Sequence, residues 1–209
     1  MLTFLQFVTE MTLHPLALQP WGTAGNPDDL YYTALTLAQG VRDRLQQILA
    51  RAASGRGKIL IGFKELAAFK SKLGRGKAAD QIHDILRSAI LLNTQAEVED
   101  VVRQLRRSQT IHEVEFKDKG TDPAYGYYGS WHLKIVINSV IVEVQVMTRR
   151  LWTYKNWAHD FYQDYRDKGD TVPASAKAQS KYIFSMGNRS GEVYKPKPGK
   201  PQPRISAHD

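Results

Sequence analysis

Glu143 and Gln145 alternate with Val142, Val144 and Val146 in the segment VIVEVQVMT. Successive side chains of a strand point to opposite faces, so the valines share one face and the carboxylate and amide share the other. Such a polar face is either solvated or turned to a ligand, and spacing alone leaves both open. Asp84 is a sharper case, because it lies inside the apolar stretch DQIHDILRSAILL, where an ionised carboxylate needs a partner or water. If the strands holding Asp84 and Glu143 are neighbours, they supply the paired carboxylates that a phosphate-bound Mg²⁺ takes.

Phosphate chemistry also needs cations and backbone N–H groups. Gly55-Arg56-Gly57-Lys58 and Gly74-Arg75-Gly76-Lys77 repeat one GRGK tetrapeptide that offers both. Neither is a P-loop: the spacing to an earlier Gly is wrong, and Ile59 and Ala78 stand where Ser or Thr would reach the metal. Two flexible basic loops are the plain alternative. The 6 histidines show no HExxH and no clustered ligand spacing, which argues against a zinc centre. His83-Asp84 and His159-Asp160 are isolated dipeptides, and the absence of GxSxG removes serine-triad chemistry.

The elements that must position these residues follow from periodicity. Asn26-Pro27-Asp28-Asp29 supplies cap chemistry for an amphipathic helix over 28–52, ended by Ser54-Gly55-Arg56-Gly57. Ile59–Ile61 reads as a short buried strand before a second helix over 65–73. Ile82–Leu92 reads as a central strand, Ala96–Arg107 as a covering helix and Ile111–Phe116 as a further strand. His132–Val146 reads as a hairpin turning at Asn138-Ser139, and Arg149 to about Lys168 as a helix. The expected fold is α+β, a mixed central β-sheet flanked by helices. Residues 1–27 read as an N-terminal arm, 28–170 as the domain, and 171–209 as a basic, proline-rich extension ending in YKPKPGKPQPR.

Bulk properties agree with a globular protein that meets polyanions. The chain of 209 residues has 29 Lys and Arg against 21 Asp and Glu, a formal charge of +8. Cysteine is absent, so no disulfide or thiolate chemistry is available. The apolar start lacks the basic n-region of a secretion signal, and no run reaches membrane-spanning length, so the expected location is cytoplasmic.

Several segments, in order and spacing from Lys58 to Tyr165, resemble the synthetase domain of RelA/SpoT proteins, the alarmone synthetases, whose fold is nucleotidyltransferase-like. Lys64 and Lys72, with Ala68 between them, are similar to that family's Lys-x3-Ser-x3-Lys, which holds ATP phosphates. The segment Asp80–Ile85 resembles its strand bearing the magnesium aspartate, here Asp84. Tyr128-Gly129-Ser130-Trp131-His132 resembles GYxSxH, and Glu143–Thr148 resembles E-[IV]-Q-[IV]-[RK]-T; His159 falls where the family has a histidine followed by an aromatic. Four cationic positions of the pattern are Gly62, Ala89, Ala124 and Met147 here. Arg87, Arg75, Lys77 and Arg149 stand near them as replacements.

The resemblance implies a pyrophosphokinase that moves pyrophosphate from ATP to the 3′-hydroxyl of a guanosine or adenosine nucleotide, a (p)ppGpp or (p)ppApp synthetase, in some forms toxic. Asp84 and Glu143 would hold Mg²⁺ and carry catalysis. Lys64, Lys72, Arg87, Arg75 and Lys77 would bind ATP; Tyr128, His132 and Gln145 would bind the acceptor, GDP, GTP, ADP or ATP. Two rivals are a toxin that pyrophosphorylates the 3′ end of tRNA and a non-catalytic nucleotide- or RNA-binding module. The family's hydrolase domain does not fit in this length, so a separate hydrolase, an antitoxin or an immunity protein is the expected restraining partner.

Overall fold

The computed structural model describes residues 19–118, 128–159 and 171–188. The first long helix, α1 (Pro27–Ala53), starts where the Asn26 side chain accepts from the backbone N–H groups of Asp28 at 2.8 Å and Asp29 at 3.1 Å. It stops at Ser54, whose φ of 50° leaves helical space. Strand β1 (Lys58–Phe63) follows, then α2 (Leu66–Gly74), a 3₁₀ turn at Ala79–Gln81 and β2 (Leu86–Leu92). Helix α3 (Gln95–Ser108) begins in a reciprocal capping box between Thr94 and Glu97. Strands β3 (Ile111–Asp118), β4 (Tyr128–Ile137) and β5 (Val140–Thr148) lead into α4 (Arg149–Trp157), and α5 (Ala174–Asn188) follows later in the chain.

The five strands form one mixed sheet in the order β1-β2-β5-β4-β3, in which β2 and β5 run parallel and the other neighbours antiparallel. The β4–β5 turn has Asn138 and Ser139 at φ of 48° and 68°, the doubly left-handed turn that matches strand twist. Val142, Val144 and Val146 join Leu133, Ile135, Ile90 and Leu92 in a core covered by α1 and α3. On the opposite face Ala89, Leu91 and Met147 pack with Leu151 and Tyr154 of α4 and Ile183 and Phe184 of α5.

Four expectations change. Asp84 does not lie on the strand, because the 3₁₀ turn delays β2 until Leu86; the carboxylate sits in the turn feeding it. Ile59–Ile61 is half-buried, not buried, since β1 is the sheet's edge. The last part of the presumed arm is anchored: Trp21 is buried and donates to the Ala79 carbonyl at 2.9 Å. Gln19, 3% exposed, donates to the Ile141 carbonyl at 2.7 Å and accepts from its N–H at 3.0 Å, supplying the backbone partners that β2 starts too late to give. Within the presumed extension, residues 174–188 form α5, packed on α4 so closely that a Cβ at Gly187 would meet Tyr154 Cβ at 3.1 Å. The helix expected to about Lys168 is seen as α4, and 160–168 and the YKPKPGKPQPR segment lie outside the described residues.

Gly57 is the residue on which the α1–β1 connection depends. Its φ is 73°, and a Cβ there would lie 2.5 Å from the Leu91 carbonyl oxygen, whereas Gly55, at φ 76°, has open space around it. Both Ala replacements incur the left-handed strain of about 1–2 kcal/mol. Gly57→Ala must in addition push β2 aside, so its urea midpoint should fall clearly below that of Gly55→Ala; equal midpoints would show that β1 and β2 separate freely at this point.

Candidate active site

Register places the chemistry. Arg87 is paired with Glu143 across β2–β5, Glu143 with Lys134 across β5–β4, and Lys134 with Glu113 across β4–β3. Directly paired residues share a face, so charge alternates in sign along this row on the side away from α1 and α3. The next row runs Ala89, Gln145, His132 and Glu115. A cleft of about 980 Å³ opens over these rows, at the upper end of small-molecule sites. Its lining includes Lys64, Lys72, Arg75, Asp84, Arg87, Lys117, His132, Glu143, Gln145 and Lys155.

At one end of the cleft Lys64 and Lys72 both place Nζ 2.8 Å from Asp84 Oδ2. Lys64 sits in the β1–α2 connection, its N–H donating to the Ile85 carbonyl at 2.8 Å and its own carbonyl accepting from the Tyr31 hydroxyl at 2.8 Å. Lys72 lies on α2 and is the more exposed of the two. Burial alone would raise the Asp84 carboxyl, but Lys64 and Lys72 hold it below the usual carboxylate range. Burial lowers Lys64, with Asp84 opposing the shift. The second oxygen, Asp84 Oδ1, is buried without a protein partner.

At the centre Glu143 Oε1 accepts from the Gln145 amide, whose oxygen accepts from Lys155 Nζ. Lys155 comes from α4, lies 5.2 Å over the Trp152 ring, and is pushed down to about 8 by burial, then by Arg87 and Lys117, against the pull of Glu143. Lys117 on β3 is ion-paired with Glu115. His132 is held near 3, chiefly by burial and then by Lys155 and Lys117, so its imidazole is neutral. Among the described residues no group of three or more His, Asp or Glu forms a metal cage. One unpartnered carboxylate oxygen, in a cleft that also holds a second carboxylate, suits Mg²⁺, which binds through one or two carboxylates, water and substrate phosphates.

Against known families, the model for the region found in RelA / SpoT proteins matches residues 63–169, about half of the chain. The chain belongs to the RelA/SpoT family. No curated protein matches it by sequence. Solved structures share its fold: small alarmone synthetase 2 from Bacillus subtilis at 21% identity, TM-score 0.56, over 74% of this chain and 90% of that one. The type VI effector Tas1, solved with its immunity protein, gives 16% identity and TM-score 0.60 over 78% and 98%. Small alarmone synthetase 1 from Bacillus subtilis, solved with its product pppGpp, gives 17% and 0.54 over 74% and 87%.

Within this RelA/SpoT fold the positions that depart from the sequence pattern differ physically. Met147 is buried under α4 and α5, where a cationic side chain would be cut off from solvent, whereas Ala89 packs in the same cluster but borders the cleft. Gly62 borders the cleft with open space at its Cβ position. Ala124 lies outside the described residues, as does the side chain of Tyr128. Arg75 and His159 reach the cleft, while Lys77 and Arg149 are not among its lining. The first GRGK loop is structural: Arg56 pairs with Asp100 at 2.7 Å and caps α1 through the Ala53 carbonyl. Lys155, Lys117, Trp152 and Asn156 line the cleft and were not singled out by sequence. Lys155 had a signal, since it shares a helical face with Leu151 and Trp152, but nothing in spacing says that this face meets Gln145.

Beside the cleft His83 and His112 stack edge to face at 5.6 Å, next to the Lys134–Glu113 ion pair. Neither ring nitrogen of His83 has a protein partner, and burial, then Lys134 and His112, push it down to about 4. An unfolded histidine titrates near 6.5, so between there and 4 the unfolded chain binds more protons and stability falls as pH falls. A His83→Asn variant should lose Tm less steeply than wild type between pH 6.5 and 4.5; identical slopes would assign the acid sensitivity elsewhere.

Proposed function

We propose that this RelA/SpoT protein is a magnesium-dependent pyrophosphokinase that transfers the β,γ-pyrophosphate of ATP to a ribose hydroxyl. The observation that carries it is the convergence on one cleft of Asp84 and Glu143 with Lys64, Lys72, Arg75, Arg87 and Lys155. Phosphoryl transfer is governed by positioning and charge neutralisation, and cations outnumbering carboxylates around an open cavity suit a polyphosphate. Asp84 Oδ1 and Glu143 would hold Mg²⁺, which when bound neutralises phosphate charge.

The protein's own residues account for the remaining roles. Lys64, the more buried, stays as the counter-ion that keeps Asp84 ionised and aimed; Lys72 and Arg75, nearer solvent, meet the β- and γ-phosphates, with Arg87 between them and Glu143. The acceptor oxygen attacks the β-phosphorus, its proton passes to a Glu143 oxygen, and the bond to the α–β bridging oxygen breaks to release AMP. Gln145 orients Glu143 through its amide, and His132, whose imidazole is neutral and which lines the same cleft, is assigned to the acceptor. Tyr128, at the start of β4, is assigned to the acceptor base. A guanosine or adenosine nucleotide is the proposed acceptor. The tRNA 3′ end is favoured as the second reading by the +8 charge. An immunity protein, antitoxin or hydrolase is the proposed restraining partner, in line with the immunity protein bound by Tas1.

Purified protein with Mg²⁺ and γ-labelled ATP should label GDP, GTP, ADP, ATP or tRNA and release AMP in equal amount. Glu143→Gln should reduce transfer by at least about a hundredfold, the contribution of a general base, with thermal stability unchanged. A folded protein that binds ATP but labels none of these acceptors would make the cleft a binding site without transfer.

A further inference from the structure

Lys155 is a cation held on an amide, with Glu143 drawing on it through space. Among the described residues its Nζ donates to the Gln145 amide oxygen and lies over Trp152, but no Asp or Glu pairs with it. Holding an ammonium half-buried on an amide, beside Arg87 and Lys117, is unfavourable in the empty protein and becomes favourable when an anion arrives. Its position in the cleft is equally particular. Lys64, Lys72 and Asp84 gather where β1 meets α2, whereas Lys155 stands above Gln145, in the row beyond Glu143, with Arg87 between the two groups. Beyond Lys155 the cleft wall turns apolar: Leu60, Trp152 and Phe184 line it over the buried cluster that α4 and α5 make with Ala89 and Met147.

We infer that Lys155 binds the α-phosphate of the donor nucleotide and neutralises the leaving AMP, with the base lodged against Leu60, Trp152 and Phe184. A nucleoside triphosphate has an apolar, stackable end and a charged end, and the cleft holds both: Lys155 lies over Trp152 of the apolar wall, Arg87 is a cationic neighbour of both Lys155 and Lys64, and Lys72 stands on Asp84. When the β-phosphorus takes the acceptor oxygen, the electron pair of the broken bond stays on the α–β bridging oxygen. AMP leaves with one more negative charge on its phosphate than it carried in ATP. A cation at that phosphate interacts more strongly with the product side than with bound ATP, which is what accelerates the step.

This inference rests on the pyrophosphokinase reading, and binding of the two halves of the donor separates them. AMP carries only the α-phosphate, and inorganic pyrophosphate stands for the β,γ-unit. Calorimetric titration of the full chain should show Lys155→Gln weakening AMP by about tenfold, the effect of losing one charge-assisted hydrogen bond, with pyrophosphate unchanged. Lys72→Gln should show the reverse, and Lys155→Arg, which keeps the charge, should bind AMP as wild type does. In turnover, Lys155→Gln should lower kcat more than it raises the KM for ATP. Equal weakening of AMP and pyrophosphate by Lys155→Gln, or none of AMP, would overturn the assignment while leaving the pyrophosphokinase reading standing. A wild-type protein that binds neither AMP nor pyrophosphate would overturn both.

Discussion

Burial of Val142, Val144 and Val146 against the α1–α3 side fixes the orientation of β5, and with it the direction of every residue between them. A slip of one position would turn the valines into the cleft and Glu143 and Gln145 into the core, exchanging a hydrophobic gain for buried unpaired polar groups. Because β5 is the middle strand, its register passes to Arg87 on one side and to His132 and Lys134 on the other. Core packing and site geometry are therefore one constraint, and neither can drift without the other.

A second constraint is electrostatic. Asp84, Lys64 and Lys72 come from three different connections and elements, and Asp84 and Lys64, the two most buried, each need an opposite charge here. Their shared oxygen ties α2 to the entrance of β2 and leaves the other oxygen of Asp84 uncommitted. Buried pairs of this kind contribute little net stability, since desolvation opposes attraction. What they provide is a fixed direction for a charged group at the mouth of a cleft that otherwise carries excess positive charge.

Much of this was legible in the residues. The alternation in VIVEVQVMT is enough to place Glu143 and Gln145 together opposite the valines, and Asn138-Ser139 is enough to mark the hairpin. Asp84 was legible as a functional candidate but not as a turn residue, because a turn of a few residues ahead of an apolar strand leaves no periodic trace. Gln19, Lys155 and α5 were not legible, for a common reason: each is defined by what it meets far away in the chain. Gln19 binds a backbone 122 positions on, Lys155 depends on how α4 lies over Gln145, and α5 carries an apolar face too weak to announce a helix until α4 is there to receive it.

The parallel pairing of β2 with β5 has a consequence in time. Two parallel neighbours require a crossover, and this one contains α3, β3 and β4, so the sheet's central contact closes a long loop before it is rewarded. Synthesis delivers the chain from its N-terminus. The Asp84 end therefore emerges well before Glu143, and Lys155 later still. A half-made chain has cations but no cleft. Whatever this site does to nucleotides, topology withholds it from the nascent protein and switches it on only once the last strand has entered the middle of the sheet.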